Sequence, residues 1–161
     1  MKWLNAPWRL EYILGPKEDE CIFCKMPKEN NDLQNLIIHR GEYNFVILNL
    51  YPYNNGHLMV VPYSHTDNLV DLGADELGEM GTLTKICVEI LTMKIKPEGF
   101  NIGMNIGTAA GAGIEEHLHM HIVPRWSGDT NFMPIVGNTK VLPQMVFETY
   151  DILLDGFNKL R

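Results

Sequence analysis

The sequence predicts an α+β domain, and three observations predict it. Apolar runs of strand length recur between residues 36 and 126, separated by turn residues. One long helical period interrupts them, and a second closes the chain. The segment His117-Leu118-His119-Met120-His121-Ile122-Val123-Pro124-Arg125-Trp126 alternates strictly at its start and holds three of the chain's six histidines. In a strand, side chains at i, i+2 and i+4 share a face, so His117, His119 and His121 form a row with neighbours about 7 Å apart. Leu118, Met120 and Ile122 then face a core.

The elements follow in order. Residues 1–20 are predicted to be an extension that packs back through Trp3, Trp8 and Tyr12, and residues 25–33 are polar and loop-like. Leu36–His39 and Phe45–Leu48 read as strands joined by a hairpin turn at Arg40-Gly41-Glu42, which leaves His39 as a solvated surface residue. Asn54-Asn55-Gly56 is a turn leading into a third strand, His57–Pro62. Asp75-Glu76 opens a helix to about Lys96, with apolar residues at Leu77, Met80, Leu83, Ile86, Cys87, Ile90 and Leu91, and Pro97 and Gly99 end it. Phe100–Ile106 is a fourth strand, residues 107–113 a glycine-rich loop, the histidine run a fifth strand, and residues 143–160 a C-terminal helix. The whole is one domain over 1–161, with a core at 21–126 and a C-terminal extension at 127–161.

Composition excludes several classes. A net charge of −7 disfavours broad binding to DNA or RNA, which needs a basic face to displace counterions. No apolar stretch approaches the roughly 20 residues of a membrane span, and the first residues have no signal-peptide core. The three cysteines suit a reducing, cytoplasmic setting better than a disulfide framework.

The chemistry lies in a few clusters. The loop Gly107-Thr108-Ala109-Ala110-Gly111-Ala112-Gly113 lacks the Gly-Lys-Ser/Thr of a triphosphate-binding loop, but its small residues let backbone N–H groups approach an anion; the alternative is a plain connection. Cys21-Ile22-Phe23-Cys24 is half of a zinc site, a redox pair, or two buried small residues. Cys87 lies in the apolar stripe of the long helix and reads as core. His57, just after a turn, can reach the histidine row, and His65 at the far end of the same strand can face the cysteines. A neutral imidazole is a competent nucleophile toward phosphorus and a good leaving group once protonated. The alternative is a strand face that is merely polar or binds a metal.

The run from His117 to Arg125 resembles the defining motif of the histidine triad (HIT) family. Cys21-x-x-Cys24, Asn49, the strand Gly56-His57-Leu58-x-Val60-x-Pro62 and the Ala-Gly step before the histidines match in the same order. Asn49 through His57, Gly111–Ile114 and Gly128–Pro134 are similar to the bacterial branch that includes diadenosine tetraphosphate phosphorylases. The resemblance implies that His119 is the nucleophile accepting a nucleoside monophosphate, that His121 contacts the phosphate and leaving oxygen, and that His57 supports this network. It implies that Asn49 binds ribose, and that Asn105 and the backbone through Gly111, Ala112 and Gly113 hold phosphate oxygens. His117 either joins the reaction or completes a structural zinc site with Cys21, Cys24 and His65. The chain departs from many hydrolase members: Ala112 and Gly113 stand where they carry Gln and Ser or Thr. The added room favours phosphate over water as the second acceptor. The expected partners are small nucleotides, with no nucleic acid and no membrane, and a homodimer or higher assembly is expected by analogy. Rival readings are a hydrolase of dinucleoside polyphosphates or phosphoramidates, and a nucleotide-binding module with little activity.

Overall fold

The computed structural model describes residues 20–129 and 144–159. The packing expected of Trp3, Trp8 and Tyr12, and the motif from Thr130 to Pro134, lie outside those residues.

Five strands form one antiparallel sheet: β1 (Ile37–Arg40), β2 (Asn44–Leu48), β3 (Leu58–Pro62), β4 (Gly99–Gly103) and β5 (Met120–Arg125), in the order β1-β2-β3-β5-β4. Hairpin turns make β1, β2 and β3 neighbours, and the register Asn44↔Pro62 through Leu48↔Leu58 is unbroken. Every residue of β2 and β3 is buried, so both faces of the sheet's centre are covered. Alternation along the strands sets one cross-strand row of Ile47, Met59 and His121 in register on a single face.

The long helix α2 (Ala74–Ile95) buries Met80, Leu83, Cys87, Ile90 and Leu91, a stripe at helical spacing that faces the sheet. Asp75 and Glu76 sit in its first turn, where the helix dipole favours negative charge, and the Glu76 carboxylate accepts the Gly73 N–H. Lys96 in the left-handed conformation ends it. The helix α3 (Val146–Lys159) buries Tyr150, Leu153, Gly156 and Phe157, and Tyr150 Oη donates to the carbonyl of Ile37 at 2.9 Å. Gly156 lets α3 approach α2 closely, since a Cβ there would lie 2.6 Å from Ile90 Cγ2. Among the described residues no helix is long and apolar enough to cross a membrane.

Four expectations change. Residues 25–33, read as loop-like, are in part ordered: a four-residue helix, α1 (Ile22–Lys25), runs into a 3-10 turn, Met26–Glu29. The fourth strand is shorter than Phe100–Ile106, ending at Gly103. The fifth begins only at Met120, because the Leu118 N–H bonds to Thr66 O beyond the end of β3 and leaves the ladder. His39 is not a solvated residue: its ring stacks on Phe157 at 5.5 Å, because α3 covers that end of β1. Sequence spacing could not place α3 there.

Candidate active site

His119 and His121 line one cavity across the start of β5, with His119 just before the strand. His117, His119 and His121 are all buried, as is His57. The rings of His119 and His121 are 4.6 Å apart at an interplanar angle of 79°, closer than the strand rise alone requires, because the side chains lean together.

Their hydrogen bonds assign the protons. His119 Nδ1 is 2.8 Å from the carbonyl oxygen of His117, so Nδ1 carries hydrogen and donates. Nε2 is therefore the bare nitrogen. His57 Nδ1 accepts the Tyr53 N–H at 3.1 Å and lies 3.3 Å from the Asn49 amide, so its hydrogen is on Nε2. That Nε2 donates to His121 Nδ1 at 2.9 Å. His121 in turn keeps its hydrogen on Nε2, and with the Asn105 carboxamide turned so that its oxygen faces the ring, 3.5 Å away, that oxygen accepts it. Burial lowers the pKa of His119. Burial first, then the neighbouring His119, lowers His121 to about 4. Both rings are thus neutral at ordinary pH: one offers a lone pair, the other an N–H that can donate a hydrogen bond.

His119 and His121 line a cavity of about 420 Å³. Its walls are mostly apolar, with Ile22, Phe23, Met26, Leu36, Ile47 and Met59 among them, which suits a planar aromatic base. Asn49 and Gly113 line it as well. The Asn49 carboxamide oxygen already accepts the Tyr51 N–H at 2.9 Å, so it is held in place before any ligand arrives. Gly111 has φ +82°, with nothing among the described residues within 4 Å of where a Cβ would be, and Ala112 is half-buried between it and Gly113.

His117 turns away from the cavity. Its Nδ1 lies 3.4 Å from Cys21 Sγ, 3.7 Å from Cys24 Sγ and 3.3 Å from His65 Nδ1, while Cys24 Sγ is 3.3 Å from His65 Nδ1. All four donor atoms fall within 4.8 Å of one another. A tetrahedral zinc with bonds of about 2.3 Å to sulfur and about 2.0 Å to nitrogen has S···N edges of about 3.5 Å and N···N edges of about 3.3 Å. The donor set fits that ion. His117 Nε2 donates to the Pro62 carbonyl at 2.9 Å, which points the Nδ1 lone pair into the cluster. Burial pushes the Cys21 thiol up to about 11, a cost that a bound divalent cation reverses.

A HIT domain family model matches residues 30–128. The chain belongs to the HIT domain family. An AP-4-A phosphorylase of Mycobacterium tuberculosis is 44% identical over 131 residues, 81% of this chain and 67% of that protein. A HIT-like protein of Methanocaldococcus jannaschii is 36% identical over 109 residues, covering 68% of this chain and 81% of its own length. Among solved HIT structures, a Zn-bound histidine triad family protein from Mycobacterium smegmatis superposes with a TM-score of 0.71 at 25% identity, over 88% of this chain and 95% of that one.

The site brings together His57, His119, His121, Asn49, Asn105 and Gly113, and gathers Cys21, Cys24, His65 and His117 separately. Sequence reasoning missed the pocket walls. Phe23 lies inside the C-x-x-C motif, and Tyr53 lies between Asn49 and His57; both were close to residues already singled out, and an aromatic at either place was the available signal.

Proposed function

We propose that this HIT protein is an enzyme that moves a nucleoside monophosphate from a dinucleoside polyphosphate, diadenosine tetraphosphate first among them, to inorganic phosphate. The observation that carries this is the 2.8 Å bond from His119 Nδ1 to the His117 carbonyl, which leaves a bare, neutral Nε2 on a ring that lines the cavity. The kinship with a tuberculosis protein named AP-4-A phosphorylase supports the choice of substrate.

In the first step His119 Nε2 attacks the phosphorus bonded to the nucleoside. An N–P bond forms, the bridging P–O bond breaks with its electron pair going to the departing oxygen, and the nucleoside triphosphate leaves as the anion, that oxygen accepting a hydrogen bond from His121 Nε2–H, which keeps its proton. In the second step a phosphate oxygen attacks the same phosphorus, the N–P bond breaks, and a nucleoside diphosphate departs. His57 holds the His121 tautomer. Asn49 binds ribose hydroxyls, and Asn105 with the backbone at Gly111, Ala112 and Gly113 donates to phosphate oxygens. The small residues at Ala112 and Gly113 leave room for phosphate as the acceptor. Zinc held by Cys21, Cys24, His65 and His117 is structural and takes no part at the reacting phosphorus. Edge strand β4, with Ile102 48% exposed, offers a surface for a homodimer, and the free cysteines suit a cytoplasmic setting.

Product analysis with labelled phosphate tests the acceptor. Label in ADP alongside ATP is the expected result. AMP as the product at a rate independent of phosphate makes water the acceptor, and a panel including a nucleoside phosphoramidate separates that hydrolase. Nucleotide binding with no turnover and no trapped adduct identifies a binding module.

A further inference from the structure

The segment that carries the two cysteines also builds one wall of the cavity. Ile22, Phe23 and Met26 all line it, and Phe23 sits between Cys21 and Cys24. We propose that Phe23 is a positioning residue through which the cysteine–histidine cluster shapes the cavity, so that zinc and nucleotide bind with positive coupling; this rests on the nucleotide reading above.

Phe23 is 2% exposed and touches both sides of the site. Its ring meets His117 edge-on, centroids 5.5 Å apart at 75°, and meets His119 at 5.2 Å and 58°. A third contact, with Phe45 at 6.5 Å and 67°, anchors it to β2. One ring therefore packs against a cluster ligand and the nucleophile together. A helix of four residues cannot hold itself, since helix nucleation is unfavourable and isolated helices need roughly 12–15 residues to persist. Near the cavity, the segment is held by the packing of Phe23 in the core, by its two thiols and by Asn35 Nδ2 donating to the Met26 carbonyl at 3.1 Å. At the other end of the contact, His117 is gripped by the cluster through Nδ1, and its carbonyl fixes the His119 tautomer. A cation joining the four donors thus orders the wall and the nucleophile at once. A base filling the cavity packs on the same wall and needs the same order. Two ligands that need one arrangement favour each other, and by linkage each raises the other's affinity by the same factor.

The test uses the full chain loaded with zinc, a chromophoric zinc chelator as competitor, and adenosine monophosphate as the nucleotide, with the nucleotide's own weak hold on zinc subtracted from a blank. Zinc affinity is expected to rise about tenfold when nucleotide is saturating, and nucleotide Kd to weaken by the same factor when zinc is withdrawn. Phe23→Leu keeps all four ligands and one zinc per chain, and the coupling factor is expected to fall toward one. Far-UV circular dichroism checks that each form is folded. Nucleotide that binds while zinc affinity stays unchanged overturns the inference alone, and so does undiminished coupling in Phe23→Leu. Zinc-loaded protein that binds no nucleotide overturns the proposed function and this inference with it.

Discussion

His57 Nε2 donates to His121 Nδ1 across 2.9 Å, and neither ring belongs to the other's strand segment by sequence: 64 residues separate them. The bond leaves His121 with its hydrogen on Nε2, facing the cavity. Replacing His57 by Leu removes that donor and is expected to lower kcat about 10–100-fold, the usual cost of losing a supporting partner behind a functional histidine. His57→Gln keeps an N–H in reach and is expected to recover part of the loss. Steady-state kinetics on the two variants check this, and equal rates for Leu and Gln count against the assigned tautomer.

His119→Ala removes the bare nitrogen. Turnover of diadenosine tetraphosphate is expected to fall at least about 10³-fold, as for other covalent nucleophiles. Intact-protein mass spectrometry is expected to find an added nucleoside monophosphate on wild type quenched in alkaline denaturant, because acid cleaves the N–P bond, and none on the variant. The fold loses only the bond to the His117 carbonyl and a buried ring, so the variant is expected to give a native circular dichroism spectrum.

Much of this was legible because it is local. Alternation exposed the row His117, His119, His121, and the stripe Met80 to Leu91 exposed α2; both depend on the period of a single element. What was not legible depends on long-range partners. Glu79 accepts N–H groups from Glu42, Tyr43 and Asn44, pinning the β1–β2 turn to α2, and nothing near Glu79 in the sequence announces it. Leu36 lines the cavity with φ +56°, a left-handed backbone that leucine rarely adopts and that no residue pattern encodes. Phe23 becomes a wall by packing against Phe45, His117 and His119, partners far along the chain.

The depressed histidines set a pH dependence. His121 is lowered from 6.5 to about 4, and His119 is lowered too, so the unfolded chain binds more protons than the folded one below about pH 6.5. Stability therefore rises with pH through that window and falls as pH drops from 6.5 toward 4. His121 alone accounts for a loss on the order of 3 kcal/mol by its folded pKa. Urea titrations between pH 4 and 7 check it. Burial favours the neutral form of the His119 nucleophile as well, so the acid limb of kcat/KM is expected below pH 6.5.

Cys21→Ser removes one cluster donor. Metal analysis is expected to give about one zinc per chain in the parent and far less in the variant, because a closed four-ligand site holds structural zinc by all its donors. Thermal unfolding is expected at a lower temperature, and a chelator is expected to bring the parent toward the variant while leaving the variant unmoved.

Gly56 immediately precedes His57 and adopts φ +73°. A Cβ there would fall 2.6 Å from Ile95 Cδ1 and 3.1 Å from Leu91 Cδ2, both on α2. Gly56→Ala therefore combines a left-handed backbone cost of about 1 kcal/mol with a clash against the helix of about 1–2 kcal/mol. Gly128 has φ +88°, and among the described residues nothing lies within 4 Å of the same atom, so Gly128→Ala is expected to carry the backbone cost alone. Chemical denaturation is expected to rank Gly56→Ala the less stable by about 1–2 kcal/mol. Kinetics are expected to separate them further: any shift that relieves the clash moves His57 with respect to His121, so kcat falls for Gly56→Ala. If the two variants lose stability and kcat equally, α2 is not pressing on the turn that carries His57.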